Sequence, residues 1–268
     1  MSENASLSFV DALKLLENHT SVNFTSNVWI PSLQKEVQIK TLTAKQQKKL
    51  LNSAIDSTSS VNKSFIVKAV YEVLLENLQL DGDDIKKLTY IDRMFLMLVL
   101  KQQITDLIKV EFDSGKKIEI TILSLIEGFK ELSHPQAETI LIDRNSVSIL
   151  ISVSPPSIKS EVDYLDAQPS LTVKESETET LKEVVSEAYI YETSKYIESV
   201  TIDGQDLNYK TLGINQRCAL VEKLPALILQ KILEIVTKWK APIDKIFTIE
   251  SENKEIKVLD INNLLFLN

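Results

Sequence analysis

Residues 30–51 read IPSLQKEVQIKTLTAKQQKKLL, and this stretch decides the fold class. Asn27-Val-Trp-Ile-Pro31-Ser32 and Glu36-Val-Gln-Ile-Lys40 are two short segments around a polar turn. They predict a strand pair, with Pro31 near a strand end, where its missing N–H does little harm. Thr43 follows, and Gln46 stands at the capping-box spacing from it. Leu50, Leu51 and Ile55 then continue at helical spacing. A small antiparallel hairpin feeding a capped helix is the unit of an α+β fold.

Upstream, Ser8 to Glu17 predicts a short amphipathic helix with Phe9, Val10, Leu13, Leu15 and Leu16 on or near one side. Downstream, Ser60 to Gln79 predicts a helix with Phe65, Ile66, Ala69, Val70, Val73 and Leu74 at core spacing. Asp81-Gly82-Asp83-Asp84 is an acidic turn. Thr89-Tyr-Ile-Asp92 starts another capped helix, strongly apolar to about Ile104. Leu107 to Phe112 and Lys117 to Ile122 alternate around Asp113-Ser114-Gly115, a hairpin signal. Val110, Phe112, Ile118 and Ile120 would form its apolar face.

The second half of the chain retraces these steps. Ser146 to Ser154 is strand-like and ends in Pro155-Pro156-Ser157-Ile158, matching Pro31-Ser32-Leu33. Thr180 to Ser199 predicts a helix. Val200 to Leu207, with Asp203-Gly204, matches Leu78 to Ile85, with Asp81-Gly82. A helical stretch over Asn215 to Trp239, broken near Pro225, leads to a second hairpin, Phe247 to Glu250 and Glu255 to Val258. Pro31 and Pro156 are 125 residues apart, Gly82 and Gly204 122, a near-constant offset that suggests tandem duplication. The expectation is an α+β protein of two related halves, 1–142 and 143–268, each packing helices with small antiparallel hairpins. A mobile acidic segment is expected at about 159–179, containing Pro169 and Glu175, Glu177 and Glu179.

Composition narrows the function. The chain has 268 residues, 44% of them apolar, and a net charge of -8. That charge disfavours nucleic acid and anionic lipid as main partners. Lys45, Lys48 and Lys49 read as a solvated helix face. The single cysteine, Cys218, excludes an intrachain disulfide and a cysteine metal cluster. The start of the chain lacks the pattern of a signal peptide. The longest apolar run, Met94 to Leu100, is far short of the roughly 20 residues that cross a bilayer. A cytoplasmic protein without a membrane span is expected.

Catalytic chemistry finds little footing. His19 and His134 are the only histidines, both in loop-like contexts, and neither is near Cys218 in sequence. Cys218 lies in an apolar helix and reads as an inert buried thiol. Asp81, Asp83 and Asp84 could hold a metal, but the EF-hand pattern fails, with Lys86 and Asp92 where Gly and Glu are needed. No phosphate-loop, dinucleotide, nucleophile-elbow or zinc-protease motif occurs. The expectation is no enzyme, no cofactor and no metal, with function carried by protein contacts. Phe9, Leu13 and Leu16, with Trp29 and Trp239, are the candidate contact residues. Tyr189, Tyr191 and Tyr196 stand behind them.

Residues 30–51, with their Pro-Ser strand end, second strand, Thr-capped helix and Leu-Leu ending, resemble the N-terminal signature of the baseplate hub proteins of T-even-type contractile-tailed phages. Leu88-Thr-Tyr-Ile-Asp-Arg-Met-Phe-Leu, the helix-then-hairpin layout and Ile261-Asn-Asn-Leu-Leu-Phe-Leu are also similar to that family. The resemblance implies a hub subunit or hub-assembly factor. It would bind other baseplate and tail proteins in the host cytoplasm during assembly, or within the tail of the particle. Members can carry a Cys-x-x-Cys metal knuckle at the hairpin tips. Phe112-Asp-Ser-Gly115 and Glu250-Ser-Glu-Asn253 stand there in this chain, so no zinc site is expected. The alternatives are a metal-dependent enzyme using the Asp81 cluster and a cytoplasmic adaptor unrelated to phage.

Overall fold

The computed structural model describes residues 8–23, 25–58, 64–111, 117–144, 146–167, 188–251 and 254–257. The chain runs α1 (Phe9–Asn23), β1 (Thr25–Ile30), β2 (Lys35–Lys40), α2 (Ala44–Thr58), α3 (Ser64–Asn77), α4 (Gly82–Ile85), α5 (Tyr90–Gln102), β3 (Leu107–Glu111), β4 (Lys117–Thr121) and α6 (Ile122–Lys130). It continues as β5 (Glu138–Arg144), β6 (Val147–Val153), α7 (Ile158–Ala167), α8 (residues 188–194), β7 (Ile197–Ile202) and β8 (Gln205–Asp206). After a 3-10 turn at Tyr209–Thr211 come α9 (Ile214–Val221), α10 (Ala226–Ile246), β9 (Thr248–Ser251) and β10 (Lys254–Lys257). All strand pairings among the described residues are antiparallel: three two-stranded hairpins and one sheet ordered β5-β6-β7-β8. The class is α+β with small antiparallel sheets.

The opening stretch folds as its residues require. The Thr43 N–H donates to Gln46 Oε1 at 3.0 Å, and the Gln46 N–H donates to Thr43 Oγ1 at 3.2 Å. This reciprocal box satisfies two of the donors that a helix start leaves open. In the hairpin, Val28 and Ile30 on β1 and Val37 and Ile39 on β2 point inward and are buried. Trp29 takes the opposite face, across from Glu36.

The first core forms around α5. From Tyr90 to Lys101 this helix is buried on nearly every side, with Phe95, Leu96, Met97, Leu98 and Leu100 fully so. Its start is fixed by Asp92, which is itself fully buried. Asp92 Oδ2 accepts from the Thr89 N–H at 2.7 Å and the Thr89 hydroxyl at 2.8 Å. Its Oδ1 accepts from the Ser32 N–H at 3.2 Å, which ties the β1–β2 turn to α5. One carboxylate thus holds a helix cap and a distant turn together, and a buried polar group keeps its place only when bonded in this way. α3, α6 and both early hairpins pack on this helix, joined by Ile158 of α7, Ile243 of α10 and Phe247. Phe129 lies between Phe95 and Phe247, at centroid distances of 6.2 and 5.5 Å.

The second core lies between the four-stranded sheet and α10. Ile140, Ile151, Val153 and Val200 face Ile228, Ile232, Val236 and Trp239. Those helix positions repeat at helical spacing and continue to Ile243, which belongs to the first core. α10 therefore serves both cores, and Pro242 stands between the two sets. A proline at that point lacks the N–H that would complete the helix ladder.

Several expectations change. The boundary at 142/143 falls inside β5, whose residues pair continuously with β6, so one sheet takes in both sides of it. Residues 159–167, expected in the mobile acidic segment, form α7 instead, with Val162 and Tyr164 buried; residues 168–179 lie outside the described residues. Apolar Ile158, Val162 and Tyr164 turn α7 inward, and its acid Glu161 finds cations in the interior. The helix expected over 180–199 is described only at 188–194, and the β-branched run from Ile197 becomes β7. Asp81-Gly82 and Asp203-Gly204, aligned above, have different geometry. Asp81 caps a helix with ordinary backbone angles. Asp203 and Gly204 turn β7 into β8, with φ of +50° and +79°. Both positive angles are those of a tight hairpin turn, which an Asp-Gly pair suits as well as it suits a helix cap. The tips 112–115 and 252–253 of the outer hairpins lie outside the described residues.

Candidate interaction surface

The amphipathic helix predicted at the N-terminus is present and longer than expected. Ser8 caps it: its Oγ accepts from the Asp11 N–H at 3.2 Å and donates to Asp11 Oδ2 at 2.5 Å. Over residues 9–16, where its side chains are described, no large apolar residue belongs to either core. Phe9 is 77% exposed, and Val10, Leu13, Leu15 and Leu16 are also exposed. Trp29 is exposed on the outer face of the β1–β2 hairpin. Four of the five predicted contact residues thus lie on the surface.

Trp239 does not. It is buried on the inner stripe of α10, with its ring 6.4 Å from that of Tyr196. Packing against the sheet uses the whole indole, so Trp239 is a core residue and not a contact residue. Tyr196 is buried as well, with the ammonium groups of Lys195 and Lys240 at 5.3 and 5.6 Å from its ring centroid. The Tyr191 hydroxyl donates to Asn215 Oδ1 at 3.0 Å. Of the three tyrosines, Tyr189 is the exposed one.

The catalytic candidates stay apart. Asp81 Oδ1 accepts the N–H groups of Asp83 and Asp84 at 3.1 and 2.8 Å. Asp84 bonds to Lys35 and Lys87, and Asp83 to Lys86. The hydrogen bonds from Lys35 and then Lys87 hold the Asp84 carboxyl below the usual range. These carboxylates splay toward separate lysines and do not converge on a common point. Among the described residues no group of three or more His, Cys, Asp or Glu is placed to hold a metal ion. Cys218 is buried, and burial pushes its thiol up, away from the nucleophilic thiolate.

A polar seam, absent from the sequence reading, runs where the two cores meet, buried at Arg93 and Glu161 and open to solvent at Glu192 and Lys240. Arg93 of α5 places Nη2 3.2 Å from Glu161 Oε2 of α7, and both side chains are 9% exposed. Lys195 reaches Glu161 at 3.5 Å and Glu192 at 2.6 Å, and Lys240 reaches Glu192 at 3.6 Å. Beside it, Ser194 Oγ lies 3.1 Å from the Tyr164 hydroxyl and 2.8 Å from that of Tyr209. Burial raises the pKa of Tyr209, and that of Tyr90 nearby, so both phenols stay protonated. The geometry of the seam serves to lock α5, α7, α8 and α10 together.

Open grooves mark the surface of the described residues. One of about 470 Å³ lies between β5 and α10, with Ile140, Leu141, Lys231, Ile235 and Lys238 among its walls. Another, about 270 Å³, lies beside α6. No helix among the described residues is long and apolar enough to cross a membrane. Comparison with family models, curated proteins and solved structures finds no match.

Proposed function

We propose that this chain is a structural subunit or assembly factor of a contractile phage tail baseplate hub, acting by protein–protein contacts and without turnover chemistry. The observation that carries the binding role is α1, whose Phe9, Val10, Leu13 and Leu15 stand exposed on a helix capped by its own serine. An amphipathic helix displayed in this way is suited to lie in an apolar groove of another protein. The phage setting rests on the sequence resemblance of residues 30–51 and 88–96. The tandem-halves reading belongs here too. Its support is the shared plan of hairpin, helices and closing hairpin, with β7 and β8 additional in the second half.

Capture of the tagged full chain from phage-infected cells, followed by mass spectrometry, tests this. Baseplate and tail proteins should co-purify, and Phe9→Asp with Leu13→Asp should remove them while the melting temperature stays within the error of wild type. Recovery of no tail protein, or an unchanged set with the double variant, would overturn the reading or its surface respectively. Mass spectrometry of purified particles separates a resident subunit from a factor that leaves after assembly.

A further inference from the structure

We propose that a second copy of this chain pairs with β5, antiparallel across a twofold axis, joining two four-stranded sheets into one of eight strands. The two edges of the sheet differ sharply. β8 closes one edge with two residues, a length too short to template a further strand. β5 forms the other edge with seven residues, in unbroken register with β6 and with no further strand on its outer side among the described residues. Natural edges are usually blunted by proline, lysine, a bulge or a short run. β5, Glu-Thr-Ile-Leu-Ile-Asp-Arg, contains no proline, glycine or lysine, and Leu141 at its centre is 53% exposed.

The occupant follows from the order of residues along the strand. A twofold axis through Leu141 sets Glu138 opposite Arg144 of the second copy, and the reverse. It sets Thr139 opposite Asp143, Ile140 opposite Ile142, and Leu141 opposite itself. Acidic position 138, which already holds Lys238 of its own chain at 3.2 Å, comes opposite basic position 144 at both ends, and like apolar residues meet in the middle, which is the pairing that stabilises antiparallel strands. A parallel arrangement would stack Glu138 on Glu138 and Arg144 on Arg144. The groove between β5 and α10 leaves room beside the inner face, where Ile235 would meet the second copy's half-buried Ile142. The contact is isologous, so it closes at a dimer. It is independent of any phage setting.

Sedimentation of the purified full chain at micromolar concentration should give a dimer. Leu141→Lys, at an exposed site, should give a monomer with an unchanged circular dichroism spectrum. Glu138→Arg should weaken the dimer at least tenfold, and adding Arg144→Glu should restore it. Directly opposed residues in an antiparallel pair have Cα atoms about 4.5–5.5 Å apart, within disulfide reach. Leu141→Cys should therefore crosslink to itself under mild oxidation. Asp143→Cys should not, because the axis separates the two copies of residue 143 by roughly 14 Å. A monomeric wild type overturns the proposal, as does a dimer that Leu141→Lys leaves intact. A dimer in which Asp143→Cys crosslinks and Leu141→Cys does not would overturn the register. A chain that is monomeric alone and captures an extended segment of another protein on β5 also counts against it.

Discussion

Replacing Arg93 by methionine tests how α5 is joined to α7. Arg93 and Glu161 are 68 positions apart in the chain, on α5 and α7, and each side chain is 9% exposed. Methionine fills most of the arginine volume, so the main loss is the cation and not the packing. Removing one partner of a buried pair leaves the other charge in a poorly solvating interior, at a typical cost of about 3–5 kcal/mol. Lys195, 3.5 Å from Glu161, offsets part of this and puts Arg93→Met at the lower end, about 3 kcal/mol. Glu161→Leu strands Arg93, while Lys195 keeps Glu192 at 2.6 Å, and should cost about 3–5 kcal/mol. The double variant should be at least about 2 kcal/mol better than the sum of the singles, because neither charge is then left without its partner. Incomplete satisfaction of the pair points the same way: Arg93 Nε has no hydrogen-bond partner. Urea unfolding followed by tryptophan fluorescence measures all four proteins, with the m-value as the check that the denatured state is unchanged. Single costs below about 1 kcal/mol, or additive singles, would refute the view that this pair is a buried joint between α5 and α7.

Three further outcomes are expected. Trp239→Ala should cost about 3–5 kcal/mol in thermal or urea unfolding and leave partner capture unchanged at temperatures where it is folded; loss of capture at full stability would return Trp239 to the surface. Gly204→Ala should cost about 1–2 kcal/mol, because φ is +79° although a Cβ would meet nothing, whereas Gly82→Ala should be neutral or gain about 0.5 kcal/mol; equal effects would mean that the two Asp-Gly sites share a geometry. Asp84 titrates below the ordinary carboxylate range when folded, so its contribution is present above the unfolded value, about pH 4, and is lost as pH falls through the folded one. The stability gap between wild type and Asp84→Asn should therefore close on acidification and shrink in high salt, and a gap that widens toward acid would contradict the Lys35 and Lys87 contacts.

Local signals carried much of the fold. The capping boxes at Thr43 and Thr89, the helix spacing of α3 and α5, and the three outer hairpin positions follow from short-range rules. β5 escaped because Ile140-Leu141-Ile142 is a continuous apolar run, without the alternation that marks a strand buried on one face. α7 escaped because its acidic residues looked solvated. Only the fold brings Arg93 and Lys195 to Glu161, and no spacing in the sequence encodes that meeting. For the contact surface, apolar spacing identified α1 but could not tell an exposed stripe from a buried one. The same ambiguity misplaced Trp239, whose three-residue step from Val236, after four-residue steps from Ile228 through Ile232, was the available clue.

The division of α10 between the two cores has a consequence for synthesis. Phe129 is made well before its neighbour Phe247, which follows it 118 positions later. At ordinary elongation rates the roughly 120 intervening residues take about 6–25 s. Through that interval the nascent first core lacks Ile158 for part of the time and Ile243 and Phe247 for nearly all of it. The growing chain thus carries an open apolar seat until the end of α10 arrives, and a truncated product that stops at Pro225 or earlier would never fill it.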